Sequence, residues 1–145
     1  MIKQYLLDTC VLSEYIRKQP KIKVIQWLDQ QPESNLFISV ITLGEFQKGI
    51  IKIEYSQPEK YQKLNQWLQK LIKRFEYRVL PLDRDILIQW GSICGKSEQQ
   101  GRKLPVIDSL IAATAIVNQL TLVTCNEKDF EGIDDITIYN PWNVK

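Results

Sequence analysis

The sequence predicts an α/β sandwich built on a mostly parallel sheet, and three observations lead there. Apolar residues alternate along the chain between a period of two and a period near that of the α-helix, so short strands and amphipathic helices take turns. The segments are joined by short turns, with no internal repeat, low-complexity tract or Gly/Ser linker. The 145 residues are 44% hydrophobic and 25% charged, a globular composition with chain enough for one core; residues 1–145 are therefore read as a single domain.

The elements follow in order. Residues 3–7 end in Tyr5-Leu6-Leu7 and read as a buried strand running into Asp8. A helix is expected from Val11 to Lys18, and a second from Lys21 to Gln30 carries Ile22, Ile25, Trp27 and Leu28. Leu36–Val40 reads as the second strand, followed by a helix over 43–53. Pro58 suits the first turn of a helix that continues to Phe75. Along it Tyr61, Leu64, Trp67, Leu68, Leu71 and Phe75 form a stripe for core or helix–helix contact. Arg78–Leu82 reads as a third strand, placed at an edge or a strand end by Pro81. Asp83 or Asp85 caps a helix to Gln100. A loop over Gly101–Pro105, an Ala-rich helix over 107–119, a strand over Thr121–Thr124 and a weak strand over 136–139 complete the chain.

Composition narrows the chemistry. Nineteen Lys and Arg against 17 Asp and Glu leave a net charge of +2, too little to argue nucleic-acid binding from bulk charge. There is no His, which excludes a Ser-His-Asp triad, an imidazole acid–base pair and a His-ligated metal. The three Cys, at 10, 94 and 125, are too widely spaced for a zinc knuckle and cannot all pair. With no signal peptide or membrane-spanning stretch in the sequence, a reducing cytoplasm is the expected location. Carboxylates, Lys, Tyr, Cys or a hard cation must do the chemistry.

In parallel sheets, sites gather beyond the carboxyl ends of the strands. Asp8 lies there after the first strand, Glu45 in the helix after the second, and Asp108 opens the Ala-rich helix. Asn126, Glu127 and Asp129 follow the Thr121–Thr124 strand. Each has an ordinary alternative: Asp8 and Asp108 as helix caps, Thr42-Leu-Gly-Glu45 as a capping box, Asp129 as a solvated turn. Clustered carboxylates, however, repel one another unless a cation sits among them. Oxygen ligands without His or a thiolate set select a hard ion such as Mg²⁺. Such an ion suits phosphodiester hydrolysis, because it acidifies water and neutralises charge on the leaving oxygen.

Three stretches together resemble a known family. They are Leu7-Asp-Thr-Cys-Val-Leu-Ser-Glu14, Ile38-Ser-Val-Ile-Thr-Leu-Gly-Glu-Phe46 with Gly49, and Asp108-Ser-Leu-Ile-Ala-Ala-Thr-Ala115 followed by Leu122-Val-Thr-Cys-Asn-Glu-Lys-Asp-Phe130. Their order and spacing resemble the PIN-domain ribonucleases, in particular the VapC-like toxins of type II toxin–antitoxin pairs. The resemblance implies a three-layer α/β/α sandwich of about five strands, dependence on Mg²⁺ or Mn²⁺, and endonucleolytic cleavage of RNA. It also implies a homodimer and a small antitoxin that covers the site, with no membrane association. Asp8, Glu45 and Asp108 fall on the family's first three acidic positions and would bind metal, Glu45 directly or through water. Thr9 and Thr124 would hold ligands or waters by hydrogen bonds. The fourth acidic position is Asn126 here, so Asn126 or Asp129 would assist. Cys10 and Cys125 stand where the family often has Asn and Arg. Arg102 and Lys103 are candidates for phosphate contacts, with a solvated turn as the alternative.

Two rivals remain at this level. One is a non-catalytic interaction module with a weakened metal site, which Asn126 favours. The other is a phosphatase or phosphotransferase of the haloacid dehalogenase type, which Cys10 disfavours because such enzymes want a second Asp at that position.

Overall fold

The computed structural model describes residues 2–143. Five strands form one sheet: β1 (Tyr5–Leu7), β2 (Leu36–Ser39), β3 (Val79–Leu80), β4 (Thr121–Val123) and β5 (Ile138–Tyr139), in the order β3-β2-β1-β4-β5. Every pairing among the described residues is parallel, so the expected mostly parallel sheet is wholly so. Six α-helices connect the strands: α1 (Thr9–Leu12), α2 (Ile22–Gln30), α3 (Val40–Lys52), α4 (Pro58–Arg74), α5 (Arg84–Gln99) and α6 (Val106–Val117).

The two-residue period of a strand sends neighbouring side chains to opposite faces, and the core divides accordingly. Leu7, Leu36, Ile38 and Val123 pack with α1–α4 through Val11, Leu12, Val24, Leu28, Phe46, Leu68 and Phe75. Leu6 and Leu122 face the other way, onto Ile111, Ala112 and Ala115 of α6 and onto Phe130. Ala113 of α6 closes a third cluster with Ile86 and Ile93 of α5. The small alanines let α6 lie close to both neighbours. The result is the α/β/α sandwich. Both edge strands are short, and Pro81 follows β3 directly, where its missing N–H costs the sheet nothing.

Three local expectations need correction. The helix expected over 11–18 is the short α1 followed by a 3₁₀ turn over Ser13–Ile16, after which Arg17 is extended. Buried Glu14 explains the break: its carboxylate accepts from the backbone N–H of Lys21 at 2.9 Å and from Arg17 at 3.2 Å, folding the chain back on itself. Val40, expected at the end of a strand, starts α3, because Ser39 caps that helix by accepting from the Ile41 N–H at 3.1 Å. Thr42 is therefore no cap, and the capping box with Glu45 does not form. Asp83 caps α5 through the Ile86 N–H, which settles the choice left open with Asp85.

The chain runs β1, β2, β3 outward on one side and returns to β4 and β5 on the other. The direction reverses between β1 and β4, which opens a crevice beyond their carboxyl ends.

Candidate active site

Asp8 stands at that crevice. Its N–H continues the sheet by donating to the Val123 carbonyl at 3.0 Å, so its backbone is fixed by the strand pair. One carboxylate oxygen accepts from the Thr9 N–H and the other from the Thr124 hydroxyl, both at 2.8 Å. Asp8 does cap α1, but it also reaches across to a fully buried threonine, which a capping role alone does not require. Burial pushes its carboxyl above the usual range; the Thr124 and Thr9 hydrogen bonds work against that, while Glu45 and Asp129 add repulsion.

Glu45 comes from the second turn of α3. Its Oε1 accepts from the Thr9 hydroxyl at 2.6 Å, and Thr9 also lies 3.3 Å from the hydroxyl of buried Thr42. Freed of a capping role, Glu45 is tied to α1 instead. Asp108 sits in the first turn of α6, whose N-cap is Pro105 with no side-chain hydrogen bond, so the cap reading of Asp108 fails. The turn is braced by Ser109, which donates to the Val106 carbonyl and accepts from the Trp90 indole, both at 2.9 Å. The Asp108 carboxyl is pushed up to about 6, first by burial and then by the negative charge of Asp8, Asp129 and Glu45.

These four carboxylates therefore feel one another, and none makes an ion pair among the described residues. Asp129 reaches them from the 3₁₀ turn Glu127–Phe130, anchored by buried Phe130. Asn126 behaves differently. It is exposed, its N–H donates to the Thr124 hydroxyl at 3.1 Å, and its carbonyl oxygen accepts from the Cys125 thiol at 3.4 Å. Asp129 is exposed too, and its charge adds to the repulsion on Asp8 and Asp108, which a neutral Asn126 cannot do.

The phosphate candidates separate too. The Arg102 guanidinium donates to the carbonyls of Glu131 and Lys128, and a side chain on Gly132, which has φ +82°, would meet it at 3.2 Å. Arg102 thus braces the segment that carries Asp129 while keeping its charge, and both Arg102 and Lys103 are exposed. Sequence reasoning read Thr42 as a cap and missed it as a buried support that touches Thr9. A threonine early in a helix looks like a cap until its contacts are known.

The donor set suits a hard cation: carboxylate and hydroxyl oxygens, no imidazole, and repulsion that a cation relieves. Among the described residues, no three Asp, Glu or Cys side chains are drawn together into a ready-made metal cage. Mg²⁺ does not need one, since it typically takes one or two carboxylates and keeps several waters. Also among those residues, no helix is long and apolar enough to cross a membrane.

Comparison with known proteins gives the family and the fold. The PIN domain family matches residues 5–136. Toxin FitB of Neisseria gonorrhoeae is 32% identical over 139 residues, covering 95% of this chain and 98% of that protein. VapC ribonuclease Y4jK of Sinorhizobium fredii is 29% identical, covering 94% and 96%. The crystal structure of FitAcB from Neisseria gonorrhoeae superposes with a TM-score of 0.89 at 30% identity, over 97% of this chain and 100% of that one.

Proposed function

The chain belongs to the PIN domain family, and from that premise we propose that it is a divalent-metal-dependent endoribonuclease, the toxin of a toxin–antitoxin pair. The observation that carries the reading is the set of four mutually repelling carboxylates, Asp8, Glu45, Asp108 and Asp129, without a cation of their own. Relatives named as a VapC ribonuclease and as a toxin support the RNA substrate and the toxin role.

Asp8 and Asp108 would hold Mg²⁺ or Mn²⁺, with Glu45 contacting it directly or through water and Asp129 completing the negative face. When bound, the ion supplies an acidified water and neutralises charge on the departing oxygen. The chain's own residues supply order. Thr124 and the Thr9 N–H each hold one oxygen of Asp8, fixing its rotamer and leaving lone pairs free. The Thr9 hydroxyl orients Glu45 in the same way. Asp108 keeps a proton up to about pH 6 and releases it when a cation takes its place, so cation affinity rises as pH climbs through that value. Exposed Lys103 is the proposed phosphate contact, with Arg102 assigned to bracing. An antitoxin would silence the protein by covering this acidic face, and the active unit is proposed to be a cytoplasmic homodimer.

A second reading, a PIN-fold interaction module without catalysis, is favoured by the absence of a formed cage among the described residues and by Asn126. RNA incubated with the purified chain separates the two. Decay with Mg²⁺ that stops with excess EDTA and in Asp8→Asn supports the nuclease. Equal decay in all three overturns it. Absence of both RNA decay and any heat of Mg²⁺ binding at millimolar metal favours the module.

A further inference from the structure

Cys10 and Cys125 meet beside the Asp8–Thr124 hydrogen bond. Parallel pairing of β1 with β4 sets Leu7 against Val123, so the chain just beyond each strand emerges at the same corner. The Cys10 sulfur accepts from the backbone N–H of Cys125 at 3.3 Å and lies 3.6 Å from the Thr124 hydroxyl. The two residues meet through this contact although 115 positions separate them, and the Cys125 thiol itself donates to the Asn126 side-chain oxygen at 3.4 Å. A sulfur 3.3 Å from the second cysteine's own nitrogen lies within a side chain's reach of its sulfur, the proximity a disulfide requires. All three cysteines are free thiols, and Cys94 has neither of the others as a hydrogen-bond partner.

We infer that Cys10 and Cys125 form a peroxide-oxidisable dithiol whose disulfide locks the corner holding Asp8 and Thr124. Cys125 is the outer thiol, lining an open recess with Asn126, Glu127, Asp129 and Trp142, while Cys10 lies behind it. In the oxidation, the Cys125 sulfur attacks one oxygen of hydrogen peroxide, the O–O bond breaks, and a sulfenic acid and one water form. The Cys10 sulfur then attacks the Cys125 sulfur, the S–O bond breaks, and the hydroxyl leaves as a second water with the Cys10 proton. Two thiols and one peroxide become a disulfide and two waters. The new bond replaces the contacts of Cys10 with the Cys125 N–H and with Thr124. It thereby disturbs the hydroxyl that orients Asp8, a consequence for RNA cleavage that rests on the function proposed above.

The experiment uses the full reduced chain treated with hydrogen peroxide. Cleavage after Lys and Arg places the three cysteines in separate peptides, 4–17, 85–96 and 104–128. The expected result is an intact mass lower by about 2 Da, the two hydrogens lost on disulfide formation, and a single crosslink joining 4–17 to 104–128. The crosslink should disappear with dithiothreitol, be absent in Cys10→Ser and Cys125→Ser, and persist in Cys94→Ala. Crosslinks that involve 85–96 equally often, bonds only between molecules, or Cys125 oxidised without a bond overturn the site. The oxidised chain should cleave RNA at least tenfold more slowly, with recovery on reduction. A crosslinked chain that cleaves RNA at the reduced rate overturns the lock but not the thiol pair. A reduced chain that cleaves no RNA counts against the nuclease reading alone, since the mass result stands apart from it.

Discussion

Glu33 and Asp108 are both incompletely buried carboxylates in the first turn of a helical element, yet the protein surrounds them in opposite ways. Glu33, ahead of β2, accepts from the Arg74 guanidinium through both oxygens and from Arg78 at 3.1 Å. Arg74 beside it holds the Glu33 carboxyl below the usual range. Arg78 adds bonds to the carbonyls of Glu33, Leu36 and Arg74 and lies over the Phe75 ring, joining the end of α4 to the start of β2. Asp108 has three acidic neighbours and no such cation, and its carboxyl is pushed up to about 6. A carboxylate kept for architecture is thus given its counter-charge by the chain, whereas the crevice group is left to find one from outside. The first arrangement stabilises the fold; the second destabilises it in return for affinity for a cation.

Three substitutions press on that contrast. Asp108→Asn should lower RNA cleavage by about 10²–10³-fold, the usual cost of removing one charge-stabilising group. The same change should leave the cation-free protein as stable at pH 7, or more stable by about 1 kcal/mol at most, since water screens a half-exposed group. Urea melts with and without Mg²⁺ check it; a large loss of stability would mean Asp108 is structural after all. Thr124→Val removes the hydroxyl that holds Asp8 with little change in shape. Loss of a ligand-orienting hydrogen bond typically costs 10- to 100-fold in metal affinity or activity, here read as a higher Mg²⁺ midpoint with maximal cleavage largely recovered at saturating metal. Arg78→Ala should do the reverse, costing about 2 kcal/mol of stability through its lost charged hydrogen bonds and leaving the Mg²⁺ midpoint unmoved.

Acid distinguishes the two regions as well, and the signs are opposite. Glu33 has a lowered folded value, so its contribution is present above the unfolded carboxylate range and is lost as pH falls through the folded one. Asp108 has a raised folded value, so folding binds extra protons between about 3.8 and about 6. Its charge costs the fold stability as pH rises through that window. Cation-free Asp108→Asn should therefore show a shallower fall in stability between pH 4 and 6 than the parent, with buried Asp8 sustaining the remainder, whereas Glu33→Gln should keep the full fall.

Much of this was legible in the residues, and the exceptions have causes. The stripe on α4 and the alternation of Leu6 and Leu7 report burial directly, because a regular element repeats its exposure. Asp8, Glu45 and Asp108 could be grouped from the strand-end rule alone, although the fourth partner could not. Asn126 and Asp129 lie on one irregular turn, where spacing carries no facing information. Ser39 was overlooked as a cap because Val40 and Ile41 extend the apolar run of β2, and β-branched residues read as strand until a side-chain oxygen intervenes. Arg102 was legible as a loop cation only. Its attachment to the carbonyls of Lys128 and Glu131 joins segments far apart in the chain, a pairing no local pattern contains.

The central position of β1 has a temporal consequence. Asp8 is synthesised well before the strand that completes its surroundings, with Thr124 lying 116 positions downstream. A nascent chain that has reached β3 contains Asp8 and Glu45 and lacks Asp108, Thr124 and Asp129. Synthesis itself therefore acts as a delay, and no truncated product ending before β4 can assemble the crevice.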